Sequence, residues 1–74
     1  MTREEFNKLD FRLHFHATTK TEAYSVIKND KYGIECQCTS KKTKRGYGRA
    51  NKVYHYNGTK YSESEFMNDI LPTI

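Results

Sequence analysis

No run of apolar residues in this chain approaches the roughly 18 that a membrane-crossing helix requires, so the sequence offers no transmembrane segment. The opening stretch MTREEFNKLD is charged where a secretory leader would be apolar, and no leader is expected. Tryptophan is absent, which leaves six tyrosines and four phenylalanines as the large rings available to fill a core. Cysteine is scarce: only Cys36 and Cys38 occur, one residue apart. On a strand their side-chain roots stand about 6–7 Å apart, whereas a disulfide needs Cβ atoms about 3.8 Å apart. Free thiols without a leader point to a reducing cytoplasm. One further absence is local. Between Ser40 and Lys52, in SKKTKRGYGRANK, there is no acidic residue at all.

With 74 residues the chain forms a single domain, 1–74. A domain this small buries only about 60% of the surface its unfolded chain exposes, so a thin core is expected, with a homodimer as one way to bury more. The formal net charge of +4 is unevenly spread. Six of the thirteen Lys and Arg lie within 40–52, at Lys41, Lys42, Lys44, Arg45, Arg49 and Lys52. The other seven are outnumbered by the nine Asp and Glu, so the basicity belongs to one segment.

Periodicity then assigns the elements. Thr2 and Glu5 have the spacing of a capping box, and Phe6 and Leu9 share a helical face, which predicts a helix over 3–9. From Phe11 the period drops to two. Phe11, Leu13 and Phe15 alternate with Arg12, His14 and His16, the pattern of a half-buried strand. A second strand is expected at 23–28. A third begins at Ile34, with Cys36 and Cys38 on the same face. The basic segment follows as a hairpin loop over 40–52, with Gly46 and Gly48 flanking Tyr47 at its tip. Asn57-Gly58 predicts a type I′ hairpin joining strands at 51–56 and 59–61. Ser62 and Glu65 repeat the capping-box spacing, and Phe66, Met67, Ile70 and Leu71 line a helix that Pro72 ends. The expected fold is α+β: an antiparallel sheet of four to five strands, with a short N-terminal and a C-terminal helix packed on one face.

Three constellations carry chemistry. In the basic loop, lysines and arginines would neutralise phosphates while Tyr47 stacks on a base or sugar. Arg12, His14 and His16 would line the uncovered polar face of the sheet. Pairing His-x-His with Cys-x-Cys would make an N₂S₂ zinc site, but strict alternation puts the two pairs on opposite faces. No metal and no cofactor is therefore expected.

The histidines, with His55, could serve acid–base cleavage of RNA without a metal, on the pattern of small toxin ribonucleases. The helix, strands, helix order is similar to that of double-stranded RNA-binding domains, whose second helix grips phosphates. Glu63 and Glu65 at the start of the second helix here oppose that docking mode.

The expectation is a small non-catalytic module contacting the backbone of DNA or RNA through the basic loop and the open sheet face, with no membrane partner. The competing reading is a protein-binding regulator or inhibitor, of the size common in phages and mobile elements, docking on an acidic surface of a partner protein.

Overall fold

Thr2 starts the first helix in the way its spacing predicts. Its hydroxyl accepts the Glu5 N–H at 3.2 Å, and its own N–H donates to Glu5 Oε1 at 3.2 Å. That second bond holds the Glu5 carboxyl below its usual range. The helix, α1 (Arg3–Asn7), is short, and its role is to deliver Phe6 to the core. The computed structural model describes residues 1–74. No helix in it is long and apolar enough to cross a membrane.

The rest of the fold is mostly sheet. Strands β1 (Arg12–Thr18), β2 (Glu22–Asn29), β3 (Ile34–Thr43), β5 (Asn51–Tyr56) and β6 (Thr59–Ser62) lie in the order β1-β2-β3-β5-β6. A two-residue strand, β4 (Gly46–Tyr47), pairs with the end of β3. Every pairing is antiparallel. Asn57 and Gly58 take φ of 50° and 76°, the left-handed values that their two-residue turn requires.

Both helical segments cover the same side of this sheet. The row Leu13, Ile27, Cys36, Tyr54, Tyr61 belongs to that side. Phe6, Ile34, Cys36, Tyr54, Phe66 and Leu71 form the buried cluster. Tyr54 and Tyr56 therefore turn inward, and Val53 and His55 outward, a choice the sequence leaves open. The chain after β6 begins as α2 (Glu63–Glu65), where the Ser62 hydroxyl accepts the Glu65 N–H at 3.2 Å. It widens into a π turn (Phe66–Ile70), closed by the Leu71 N–H on the Phe66 carbonyl, and tightens to 3₁₀ at Leu71–Thr73. Pro72, which brings no N–H, sits in that last turn. Arg3 Nη2 donates to Asn68 Oδ1 at 3.0 Å and ties α1 to this segment.

Cys36 and Cys38 point to the helix side, with sulfurs 3.6 Å apart as free thiols. Burial, with Cys38 close by, pushes the Cys36 thiol up to about 12. Burial also pushes the Tyr54 hydroxyl up, with Cys36 as the next contribution. The folded state thus holds these protons more tightly than the unfolded chain does. The Cys36 contribution to stability is complete below the ordinary thiol pKa of about 8.5 and is lost as pH rises toward about 12. Accordingly, iodoacetamide at mild alkaline pH should add one carbamidomethyl group to the folded protein, at Cys38, and a second only in urea. Intact-mass analysis showing rapid double labelling without urea would contradict this burial.

The structure departs from simple alternation in two places. In β1, Leu13 pairs with Ile27 but Phe15 pairs with Val26, so His14 is an extra, bulged residue. The bulge splits the set that alternation puts together. Arg12 lies opposite Lys28 on the uncovered face, whereas His16 lies opposite Ser25 on the helix side. The physical reason is in β2, where Val26 and Ile27 are consecutive and face opposite ways. One inserted residue gives each of them an apolar partner across the ladder.

The second departure is in β3, which does not stop at Thr39. It runs through Lys41, Lys42 and Thr43 into a tight hairpin, leaving only residues 48–50 of the basic segment irregular. Backbone pairing, including the Lys42 N–H on the Thr21 carbonyl at 2.8 Å, sustains the strand despite its charge.

Candidate nucleic-acid interface

The basic segment is built as a projecting arm. Thr43 ends β3 and shapes the turn: its hydroxyl donates to the Gly46 carbonyl at 2.8 Å and accepts the Arg45 N–H at 3.3 Å. Lys44 and Arg45 form the tip. Gly46 takes φ 115°, which a side chain would resist, and starts the return. The Gly48 N–H then donates to the Lys41 carbonyl at 2.9 Å, closing the base. Tyr47 is 55% exposed, with Lys42 Nζ 5.9 Å from its ring centre. The long dimension of the molecule, 39 Å against 23 and 22 Å, fits an arm extending one end of a flat sheet.

The density of cations, with no acid in the segment, distinguishes this arm from the rest of the surface. Only two ion pairs form in the protein, Lys28 with Glu35 at 4.0 Å and Lys52 with Glu63 at 3.9 Å. Lys52 is thus engaged at the root of the arm. Lys41, Lys42, Lys44, Arg45 and Arg49 have no carboxylate within ion-pair distance. Five like charges on about ten residues of exposed hairpin repel one another and attract any multivalent anion.

The remaining predicted site residues do not gather around the arm. Arg12 is level with Glu35 across the sheet, nine residues up β3 from Lys44. At about 3.3 Å per residue that is roughly 30 Å. His16 is level with Cys38, roughly 20 Å from the tip on the same scale. The expected cluster of Arg12, His14 and His16 beside the basic segment is therefore not assembled.

His16 shares the face of Cys38, contrary to the alternation reading, but β2 intervenes, and two strand spacings of about 4.8 Å keep the side chains apart. No three His, Cys, Asp or Glu side chains converge as a metal-binding group. His55 stands three strands from His14 and His16 and faces away from His16.

The uncovered face is polar at its ends and carries an apolar patch at its centre. Its central row is Phe15, Val26, Gln37 and Val53, and the next row toward the arm is Ala17, Tyr24, Thr39 and Asn51. Phe15 is 51% exposed and meets Tyr24 edge-on at 5.9 Å, while their neighbour Val26 is buried. Beyond Phe15, at the end far from the arm, come Arg12, Lys28, Glu35, His55 and Lys60. A cleft of about 440 Å³ opens there, lined by Lys28, Glu35, His55 and Asn57, and the His55 Nε2 is buried without a hydrogen-bond partner.

Phe15, Lys28 and Lys60 are the surface residues that strand-by-strand reading misses, while Tyr24 is one of six tyrosines the sequence offers as stacking rings. The signal was present in β2, where Tyr24, Val26 and Ile27 supply apolar side chains to both faces. No family model, curated protein or solved structure matches this chain.

Proposed function

We propose that this chain is a small non-catalytic nucleic-acid-binding module whose basic hairpin grips the phosphate backbone. The observation that carries the proposal is the set of five hairpin cations, Lys41, Lys42, Lys44, Arg45 and Arg49, left without any carboxylate partner. Phosphate oxygens supply the missing acceptors, and each neutralised phosphate releases condensed counterions. The exposure of Tyr47 between Gly46 and Gly48 supports a contact with a sugar or base. The non-catalytic reading is supported by the separation of His55 from His14 and His16, which prevents that histidine from sharing one scissile phosphate with either.

Fluorescence polarisation across a salt series tests the proposal. Four neutralised phosphates on a duplex give a log–log slope of about −3.6. A flat response, or no binding at low salt, would remove the proposal. A pulldown from lysate separates it from docking on an acidic protein. Recovery of one stoichiometric protein that survives nuclease treatment would move the assignment to that partner.

A further inference from the structure

We propose that the uncovered face of the sheet is a stacking platform for single-stranded nucleic acid, with Phe15 and Tyr24 as the rings that receive bases. This rests on the nucleic-acid reading of the hairpin and names the form of substrate that the whole surface fits.

Both helical segments lie on the other side of the sheet, so nothing in the chain covers this face. Its centre is apolar and aromatic: Phe15 stands half out of the surface, Tyr24 props it edge-on, and Val26 fills the floor beneath them. A single exposed phenylalanine is ordinary on a small protein. Charge makes this one informative.

The strip is bounded at both ends by cations. Arg12, Lys28 and Lys60 lie beyond Phe15, and Lys41, leading into the basic hairpin, lies beyond Tyr24. Against these four bases the face carries two acids. Glu35 is engaged by Lys28 at 4.0 Å, and Glu22 lies opposite Lys41 in the ladder.

An apolar strip with a positive excess at its Arg12 end and the basic hairpin beyond its Lys41–Glu22 end fits a chain with flat faces in the middle and phosphates throughout. A duplex cannot use it, because its bases are already stacked and present only their edges in the grooves. A single strand can lay unstacked bases on Phe15 and Tyr24 while its backbone runs from the Arg12 end onto the hairpin. A second copy of this chain would bring the same positive excess against itself. The ladder from Glu35 to Lys41 spans about 20 Å, enough for a few nucleotides. Because every base has a π face, the platform is expected to tolerate sequence.

The test compares a fluorescent thymine oligonucleotide of about 12 residues with a duplex of equal length. The proteins are the unaltered chain, Phe15→Ala and Phe15→Tyr, with the hairpin intact in each. Phe15 is half exposed, so its truncation leaves no buried cavity, and circular dichroism checks the fold. Expected is an affinity for the single strand above that for the duplex. Phe15→Ala should lower single-strand affinity about tenfold and leave duplex affinity unchanged, and Phe15→Tyr should restore it.

Ultraviolet crosslinking of the unaltered protein to the thymine strand gives a readout independent of any variant, with adducts expected on Phe15 or Tyr24. Adducts confined to Tyr47 would overturn the platform. So would equal weakening of both nucleic acids by Phe15→Ala, or a dimer that this change dissociates. If the platform alone is wrong, both nucleic acids bind with strong salt dependence and Phe15→Ala is silent. If the hairpin reading is wrong, neither binds and the platform falls with it.

Discussion

Replacing Lys44, Arg45 and Arg49 together by serine should lower affinity for duplex DNA roughly a hundredfold at about 0.15 M salt, without moving the urea midpoint of unfolding. The size follows from counterion release. Each phosphate contact contributes about 0.9 to the log–log salt slope, so losing three removes about 2.7 from it, or about two decades of affinity at that salt. The unchanged midpoint follows from where these side chains sit. All three are exposed, and none forms an ion pair. The turn itself is shaped by the Thr43 hydroxyl and by Gly46, which the substitutions leave in place.

The repulsion relieved by removing like charges between fully exposed side chains is weak, which leaves the midpoint in place. The effect on salt dependence is the sharper test. A variant with lower affinity but the original slope would mean that these residues act through shape rather than charge. A variant that keeps its full affinity would refute the phosphate-gripping hairpin.

How much of this was written in the sequence differs by element, for physical reasons. Turn and cap chemistry is local, so Thr2, Asn57-Gly58 and Ser62 were legible; Thr2 and Glu5 complete their capping box, whereas Ser62 caps the Glu65 N–H and the Glu65 carboxylate takes the Ser62 hydroxyl instead of its backbone N–H. The Ile34, Cys36, Cys38 face was legible because β3 is covered on one side only in that region. The bulge at His14 was not, since Phe-x-Leu-x-Phe is a perfect alternation when taken alone. Its cause lies on the neighbouring strand, in the demand of Val26 and Ile27 for partners on opposite faces.

That non-local demand changed the functional surface. It moved His16 to the helix side and turned Phe15 onto the open face, where it meets Tyr24 and sets an aromatic patch into an otherwise polar surface. The basic run was legible as a hairpin from Gly46 and Gly48, but not the continuation of β3 past Thr39: a strand carrying lysines can continue when its backbone groups find partners, as Lys42 and Thr43 do with Gly46 and Tyr47.

Phe66→Ala should destabilise the fold by about 3–5 kcal/mol, the largest single-residue effect expected in this chain. Phe66 is fully buried, and the aromatic cluster is built around it. Tyr54 stacks on it at 4.5 Å with planes 9° apart, and Phe6, Tyr56 and Tyr61 surround it with ring centres at 6.0, 6.3 and 6.4 Å. Truncation removes contacts from α1, β5 and β6 at once. With only eight buried residues, the core has little freedom to close over the void.

A chain of 74 residues is stabilised by about 4–11 kcal/mol in total, so this one change removes much of the margin. Urea unfolding followed by far-ultraviolet circular dichroism should show the midpoint falling steeply, with Phe66→Leu recovering most of the loss. The π turn sharpens the expectation. Its wider Phe66–Ile70 segment lets the Leu71 N–H reach back to the Phe66 carbonyl while the Phe66 ring lies flat on Tyr54. If Phe66→Ala costs less than about 1 kcal/mol, the stacked pair does not anchor the helical segment to the sheet. The covered and uncovered faces would then have to be reassigned, and with them the surface offered to nucleic acid.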